Sequence, residues 1–233
     1  MNDKLAQAAI TSDIMAKAID HTALKPDATH TDLETLAQEA IRHGFRAVCV
    51  NSSHVARVYS ILKESKVHVC SVVGFSLGAM HAKAKAFEAE VAMEEGATEI
   101  DMVLNIGALK SGDPKRAEDD IREIRQVAGP GRILKVIIET CLLTEEEKIQ
   151  ACNIAKSAGA DFVKTSTGFS LGGATLADVK LMKNTIGDSM QVKASGGIKD
   201  WDTAVAMIQA GASRIGTSSG VTILQNAPEL NEA

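Results

Sequence analysis

Three lysines lie in hydrophobic segments where an ammonium group would be carried out of water. Lys135, Lys164 and Lys193 are separated by 29 positions each time (164 minus 135, and 193 minus 164). Burial of an unpaired ammonium is costly, so such a lysine either loses its proton or finds a partner. A single one could extend from a strand end to solvent, but three at equal spacing make that reading less favourable. They predict a site built around a nucleophilic amine.

Lys164 is the best candidate nucleophile because it ends an apolar run and precedes Thr165, Ser166, Thr167 and Gly168. Burial and a neighbouring cation both favour a neutral lysine, and Lys193 on the next segment would supply that cation. Asp101 lies in another apolar run, where it could exchange protons through a water. A buried Asp that merely balances a lysine is the alternative for this residue.

Two segments of small residues predict an anion site. Ser195-Gly196-Gly197-Ile198 and Gly216-Thr217-Ser218-Ser219-Gly220 follow the seventh and eighth strand patterns. Backbone N–H groups of such loops approach phosphate closely, and many barrels bind phosphate at these two strand ends. One Gly-Gly segment would be weak support since tight turns use the same residues. Two at these positions favour phosphate.

The elements that must position these residues follow a repeated pattern. Four times a helix pattern ends near a glycine and an apolar strand follows, as a glycine cap would require. These strands are Ala47–Val50, Ile100–Val103, Phe162–Lys164 and Arg214–Gly216. Apolar and β-branched runs add Ile19–Leu24, Val67–Phe75, Ile133–Thr140 and Met190–Ala194. Predicted helix caps are Thr31, Asp113, Thr144, Thr175 and Asp200.

Eight alternating strands and helices predict an α/β protein, a single-domain (β/α)8 TIM barrel over residues 1–233. The alternative is an open doubly wound sheet, but no Gly-x-Gly-x-x-Gly motif follows the first strand. Equal positions in consecutive units place Lys135, Lys164 and Lys193 at equivalent points of adjacent strands. Side chains that point into a barrel from neighbouring strands converge.

Composition excludes several classes of partner. The net charge is −5 and basic residues form no run with aromatics, so nucleic acid is not expected. No apolar stretch reaches about 18 residues, and Asp3, Lys4 and Asp13 interrupt the N-terminal segment, so neither a membrane span nor a signal peptide is expected. These features predict a cytoplasmic protein.

Cysteine and histidine usage predicts no metal or disulfide. Cys49, Cys70, Cys141 and Cys152 are scattered and are expected as buried free thiols. Cys49 at a strand end is alternatively a reactive thiol near the site. The six histidines form no H-x-H or HExxH motif, and His21 is expected to be a core residue.

Five motifs resemble those of the deoxyribose-phosphate aldolase family: Asp20–Thr22, Glu99–Val103, Leu134–Thr140, Phe162–Gly168 and Lys193–Ile198. The resemblance implies Lys164 as the Schiff-base lysine, Lys193 as the lysine that favours its neutral form, and Asp101 as the proton relay. It implies Asp20, Thr165 and Lys135 as supporting residues. It places Gly168, Ser195, Gly196, Gly197, Gly216, Ser218 and Ser219 around the phosphate.

Two departures from the family pattern stand out. Ser52 follows Asn51 where many relatives have Pro, and residues 225–233 contain no Tyr, which some relatives place near the site. Proton transfer would therefore fall to water, Asp101 and Lys193.

The predicted reaction is reversible cleavage of 2-deoxy-D-ribose 5-phosphate to D-glyceraldehyde 3-phosphate and acetaldehyde, without cofactor or metal. The predicted partners are this sugar phosphate and acetaldehyde, with homo-oligomers compatible with the sequence. Two alternative functions are compatible with the same residues. One is another Schiff-base sugar-phosphate lyase or a transaldolase-like barrel, and the other is a non-catalytic barrel that binds a phosphorylated metabolite.

Overall fold

A computed structural model describes residues 10–228 and shows eight parallel strands that close into a barrel. The strands are β1 (Ile19–Ala23), β2 (Ala47–Val50), β3 (His68–Val73), β4 (Glu99–Val103), β5 (Ile133–Ile137), β6 (Phe162–Lys164), β7 (Gln191–Ser195) and β8 (Arg214–Thr217). Each strand pairs with the next, and β8 pairs with β1. The predicted (β/α)8 fold is confirmed, while the outermost residues of the predicted 1–233 domain lie outside the described part.

The helices are α1 (Ser12–Ala18), α2 (His30–His43), α3 (Val55–Leu62), α4 (Ala82–Glu94), α5 (Ile106–Lys110), α6 (Pro114–Ala128), α7 (Glu145–Ser157), α8 (Leu176–Ile186), α9 (Trp201–Gln209) and α10 (Gly220–Gln225). Single 3-10 turns cover Ser52–His54 and Thr140–Leu142. Between residues 10 and 228, no helix combines the length and the apolar character needed to cross a membrane.

Four of the five predicted helix caps are confirmed, and Thr31 is wrong. The side chains of Asp113, Thr144, Thr175 and Asp200 each accept a backbone hydrogen bond at a helix start. Helix α2 is instead capped by Thr29, which exchanges hydrogen bonds with Asp32 in a capping box. This pair satisfies two backbone N–H groups that have no acceptor within the helix, so the helix begins two residues earlier than predicted.

Two strands end earlier than predicted because a left-handed residue interrupts them. Gly74 has φ 61° after β3, and Glu139 has φ 54° after β5. Neither conformation fits an extended strand. Consequently β3 stops at Val73 and β5 at Ile137, whereas the predictions extended to Phe75 and Thr140.

The main hydrophobic core lies between the outer face of the barrel and the helices, because alternate strand residues point outward and inward. The interior holds a second, small apolar cluster of Leu24, Ala47, Cys49, Cys70 and Val72. Most of the remaining interior is ionisable: Asp20, Glu99, Asp101, Lys135, Lys164, Lys193 and Arg214 are all buried. The outer layer therefore carries the hydrophobic stabilisation, and the barrel interior is left for the site.

Candidate active site

The strand register brings Lys164 and Lys193 side by side. They are direct partners across β6 and β7. Lys135 is not at the equivalent place, because its partner on β6 is Phe162 and its partner on β4 is Asp101. The prediction of three equivalent positions is thus right for Lys164 and Lys193 and wrong for Lys135. Barrel closure staggers the strands, so an equal spacing in sequence does not fix an equal height.

Asp101 lies at the centre of the three lysines. Its Oδ2 accepts hydrogen bonds from Lys164 Nζ at 2.7 Å and Lys193 Nζ at 2.8 Å, and its Oδ1 accepts one from Lys135 Nζ at 2.8 Å. Burial strongly opposes ionisation of this carboxyl, yet the three ammonium groups together hold the pKa of Asp101 well below its ordinary value. Asp101 is therefore a fixed anion beneath Lys164.

Asp20 shares Lys193 with Asp101. Lys193 Nζ donates to Asp20 Oδ2 as well as to Asp101. Burial disfavours the ammonium, but the two carboxylates outweigh burial and raise the pKa of Lys193. Burial likewise opposes the Asp20 anion, and Lys193, Arg214 and Lys135 outweigh it, so the pKa of Asp20 is lowered. Lys193 accordingly remains a cation beside Lys164.

Arg214 and Glu99 complete the cluster and were missed by the sequence analysis. Arg214 donates to Asp20 Oδ1 at 2.8 Å and to Glu99 Oε2 at 2.5 Å, and Lys135 Nζ lies 2.6 Å from the same Glu99 oxygen. The signal was available, since Glu99 and Arg214 precede Asp101 and Gly216 by two residues, the period of one strand face.

The cluster has one more cation than anions when every group is charged. The cations are Lys135, Lys164, Lys193 and Arg214, and the anions are Asp20, Glu99 and Asp101, so four minus three leaves one positive charge. Loss of a single proton from one lysine would balance the charge.

A cavity of about 620 Å³ opens above this cluster at the carboxyl ends of the strands. Lys164 lines it, whereas the fully buried Lys135 and Lys193 do not. Six of the seven predicted phosphate residues also line it: Gly168, Ser195, Gly196, Gly197, Gly216 and Ser218. Ser219 does not, and its N–H donates to Thr217 Oγ1 at 2.9 Å. Gly216 lies within β8 rather than in the loop that follows.

Two cationic side chains of the cavity wall, Lys25 and Lys199, were not predicted. Lys199 follows Ile198 directly, so its position next to the Ser195–Ile198 segment was a usable signal. Lys25 comes from the loop between β1 and α2, which contains no site motif. Both add positive charge around a cavity suited to an anionic ligand.

Glycines and one threonine shape the wall formed by β6 and β7. Gly196 has φ 88°, and a Cβ there would lie 2.9 Å from Gly173 Cα. The close approach of these two backbones therefore requires glycine. Thr165 is buried beneath them, where its Oγ1 accepts from Ser195 N–H at 3.0 Å and donates to Ser195 C=O at 3.0 Å. Thr165 thus joins the two strands and does not line the cavity.

Cys49 and Cys70 are buried register partners on β2 and β3 beside Asp101. These three residues are the one group between residues 10 and 228 with ligand atoms close enough to share a metal. They do not fit one, because lysine ammonium groups occupy both Asp101 oxygens and burial raises the pKa of Cys70, which stays a thiol. The expectation of four buried thiols is wrong for Cys141, which is exposed.

Comparisons with known proteins agree on one family. The family described as DeoC/LacD family aldolase matches residues 14–226. A deoxyribose-phosphate aldolase from Brevibacillus brevis is 58% identical over 213 residues, which cover 91% of this chain and 96% of the relative. One from Thermococcus gammatolerans is 58% identical over 216 residues, with coverage of 91% and 96%.

Two solved structures have the same fold. A putative deoxyribose-phosphate aldolase from Coccidioides immitis has a TM-score of 0.89 at 41% identity and covers 92% of this chain and 85% of its own. A deoxyribose phosphate aldolase from Aeropyrum pernix, described as a unique tetramer, has a TM-score of 0.88 at 34% identity, with coverage of 93% and 92%.

Proposed function

The chain belongs to the DeoC/LacD family of aldolases, and we propose that Lys164 carries its carbon–carbon bond chemistry as a Schiff base. Its function is that of a deoxyribose-phosphate aldolase, a carbon–carbon lyase, as the motifs predicted. One observation supports Lys164 above the other lysines. All three lysines contact Asp101, but only Lys164 among them lines the cavity.

The reaction begins with attack of neutral Lys164 on C1, the aldehyde carbon of open-chain 2-deoxy-D-ribose 5-phosphate. The carbinolamine loses water and gives an iminium ion. Removal of the proton from the C3 hydroxyl breaks the C2–C3 bond and moves its electron pair into the iminium, which becomes an enamine. Glyceraldehyde 3-phosphate leaves. Protonation of the enamine at C2 and hydrolysis then release acetaldehyde and restore Lys164.

The buried cluster supplies the electrostatics of these steps. Asp101 lies 2.7 Å from Lys164 Nζ, so it stabilises the iminium cation where that charge develops. Because the pKa of Asp101 is held low, the carboxylate stays ionised and is a weak base by itself. We therefore assign the proton transfers to a water held by Asp101 and Lys193, which together provide an acceptor and a donor.

The glycine and serine segments hold the phosphate at the opposite end of the substrate. Gly168, Gly196, Gly197 and Ser218 line the cavity with Lys199. Backbone N–H groups and an ammonium group bind a phosphate dianion without further chemistry. The binding energy of this remote group places C1 against Lys164, which is how distant contacts contribute to the rate.

The proposal includes one domain over residues 1–233, a cytoplasmic location and a homo-oligomeric state. A charged sugar phosphate does not cross a bilayer unaided, so the enzyme must share the compartment in which its substrate is made. The tetrameric relative from Aeropyrum pernix supports assembly, at 34% identity.

Borohydride trapping tests the nucleophile. The protein is incubated with 2-deoxyribose 5-phosphate, reduced with borohydride and digested for peptide mass spectrometry. We expect the adduct on Lys164, none on the buried Lys85 of the same digest, and none in a folded Lys164→Arg variant. Absence of an adduct from folded wild-type protein would favour a non-catalytic phosphate-binding barrel.

A further inference from the structure

Glu139 combines a strained backbone with a buried carboxylate at the C-terminal end of the barrel. Its φ of 54° and ψ of 68° lie in the left-handed region, and between residues 10 and 228 no other non-glycine residue has a positive φ. The residue is only 2% exposed. Left-handed backbone is unfavourable for a residue with a Cβ, and a buried carboxylate needs hydrogen-bond donors. Such strain is typical of positions that serve a site.

The carboxylate of Glu139 binds one residue of the loop after β6. Its Oε2 accepts from the Thr167 hydroxyl at 2.5 Å and from the Thr167 backbone N–H at 3.2 Å. Thr167 Oγ1 in turn accepts from Phe169 N–H at 3.1 Å. One carboxylate therefore fixes the turn Thr167-Gly168-Phe169 through both the backbone and the side chain of Thr167.

The left-handed backbone of Glu139 lies inside an extension of the β5–β6 ladder. Ile138 N–H donates to Lys164 C=O at 3.0 Å, and Thr140 N–H donates to Thr165 C=O at 2.9 Å. Glu139 stands between these two hydrogen bonds. Its conformation is thus fixed on both sides by the strand that carries Lys164.

The turn held by Glu139 is a wall of the cavity. Thr167, Gly168 and Phe169 all line it together with Lys164. The Thr167 N–H is occupied by Glu139 and is not available to a ligand. By contrast, the Gly168 N–H has no protein acceptor among residues 10–228. Phe169 leaves the turn to pack edge-to-face on Phe75, with ring centroids 5.3 Å apart.

We propose that Glu139 is a positioning residue that aims the Gly168 N–H at the phosphate of the substrate without touching the substrate itself. This inference rests on the proposed function, because it assigns a role within the same site. A carboxylate suits the role because it is acceptor-only and can take both Thr167 donors at once. An amide at this position would replace the charged acceptor with a neutral one, and its NH2 group would take the place of Oε1, which lies 3.4 Å from the Thr167 backbone nitrogen.

The test compares Glu139→Gln and Thr167→Val with the matched control Glu145→Gln, an exposed residue at the start of α7. Each is assayed with 2-deoxyribose 5-phosphate and with unphosphorylated 2-deoxyribose. We expect both variants to raise KM for the phosphorylated substrate about five- to hundredfold, the effect of leaving one buried donor unpaired. Turnover of 2-deoxyribose by Glu139→Gln, and borohydride trapping of acetaldehyde on Lys164 in that variant, should stay near wild type.

The outcomes separate the inference from the function on which it rests. An equal loss with both substrates, or no loss with either, would overturn the positioning role. Two further variants keep the test decisive if Glu139→Gln misfolds. Thr167→Ser keeps the hydroxyl and should retain the wild-type KM. The double variant Glu139→Gln with Thr167→Val should raise KM no more than either single substitution. If the increases in KM of the two single variants add up in the double variant, the positioning role of Glu139 through Thr167 would be contradicted. Failure of the wild-type protein to trap acetaldehyde would instead remove the proposed imine chemistry.

Discussion

At the scale of single residues, the two buried carboxylates Asp101 and Asp120 differ in the number of cations that each one binds. Asp101 binds three lysines, whereas Asp120 binds Lys85 at 3.1 Å and Asn105 at 3.3 Å between the helices. Both carboxylates offset the charge of a buried lysine. Only Asp101 lies against the proposed nucleophile, so stability and catalysis are separable by comparing the two.

Asp101→Asn should lower kcat/KM about 10²- to 10⁴-fold, because iminium stabilisation and the proton relay both fail. Asp120→Asn should lower stability by about 1 to 5 kcal/mol yet leave the activity of the folded fraction unchanged. Denaturation by urea and steady-state kinetics on both variants check this. Comparable activity in the two folded variants would contradict a catalytic role for Asp101.

The residues predictable from sequence are those whose chemistry conflicts with their surroundings. Lys164 and Asp101 stand out because charges are rare in apolar strands. Arg214 and Glu99 occupy strand ends, where charged residues are ordinary, so their two-residue spacing from Gly216 and Asp101 was a weaker signal than a charge inside an apolar run. The role of Glu139 depends on a left-handed backbone and a contact with Thr167, and neither is visible in a linear sequence.

At the scale of elements, the height at which each strand presents its side chains decides which groups meet. The four glycine-to-strand junctions, together with four apolar and β-branched runs, predicted the number and order of the strands, so the barrel was predictable. The stagger between β5 and β6 was not predictable. Lys135 was therefore expected level with Lys164, whereas it pairs with Phe162, two residues nearer the amino end of β6. Strand ends also depended on left-handed residues such as Gly74, whose conformation no periodicity reveals.

Strand β8 passes so close to β7 that Gly216 has no room for a side chain. A Cβ there would lie 2.9 Å from Ser195 Cβ and 3.0 Å from Lys193 Cε. We expect Gly216→Ala to displace Lys193 from Asp20 and Asp101 and to lower kcat about tenfold to hundredfold, the scale of small misplacements at a reacting centre.

The matched control for this substitution is Gly107→Ala in helix α5. A Cβ at Gly107 meets nothing nearer than 3.8 Å, so the change should leave kcat intact and be neutral or stabilising by about 0.5 to 1 kcal/mol. Kinetics and thermal denaturation of both variants provide the comparison. A Gly216→Ala enzyme with wild-type kcat would show that the position of Lys193 is not critical.

At the scale of the whole molecule, the hydrophobic layer between the barrel and the helices surrounds a charged barrel interior. The free energy of unfolding should therefore change with pH as the buried groups gain or lose protons. Asp20 and Asp101 have pKa values below the ordinary 3.8, and their contribution is present above about pH 4 and lost in acid. Burial lowers the pKa of His21 from 6.5 despite its hydrogen bond to Glu39. Its contribution is complete above about pH 6.5 and declines below that value.

On the alkaline side, the stability of the folded state falls as the pH rises. Burial raises the pKa of the Cys152 thiol from 9.0 to about 12, so the folded state resists ionisation that the unfolded chain undergoes freely. Its contribution is complete below about pH 9 and is lost as the pH rises toward 12. Lys135 and Lys193, whose pKa values are raised above 10.5, add a loss that begins only above that value.

These shifts together predict a plateau of maximal stability between about pH 6.5 and 9. A first decline below 6.5 comes from His21 and His68, since burial lowers the pKa of both, and a steeper one below 4 comes from the interior carboxylates. Urea denaturation midpoints across pH 3 to 11 measure the profile. His21→Gln should reduce the decline between pH 6.5 and 5, leave the part due to His68 and leave the acid limb. Cys152→Ala should make the alkaline limb shallower, because burial also raises the pKa of Cys70. A wild-type midpoint that keeps rising from pH 6 down to 4 would mean that the interior charges do not govern stability, because every shifted group in that range acts in the other direction.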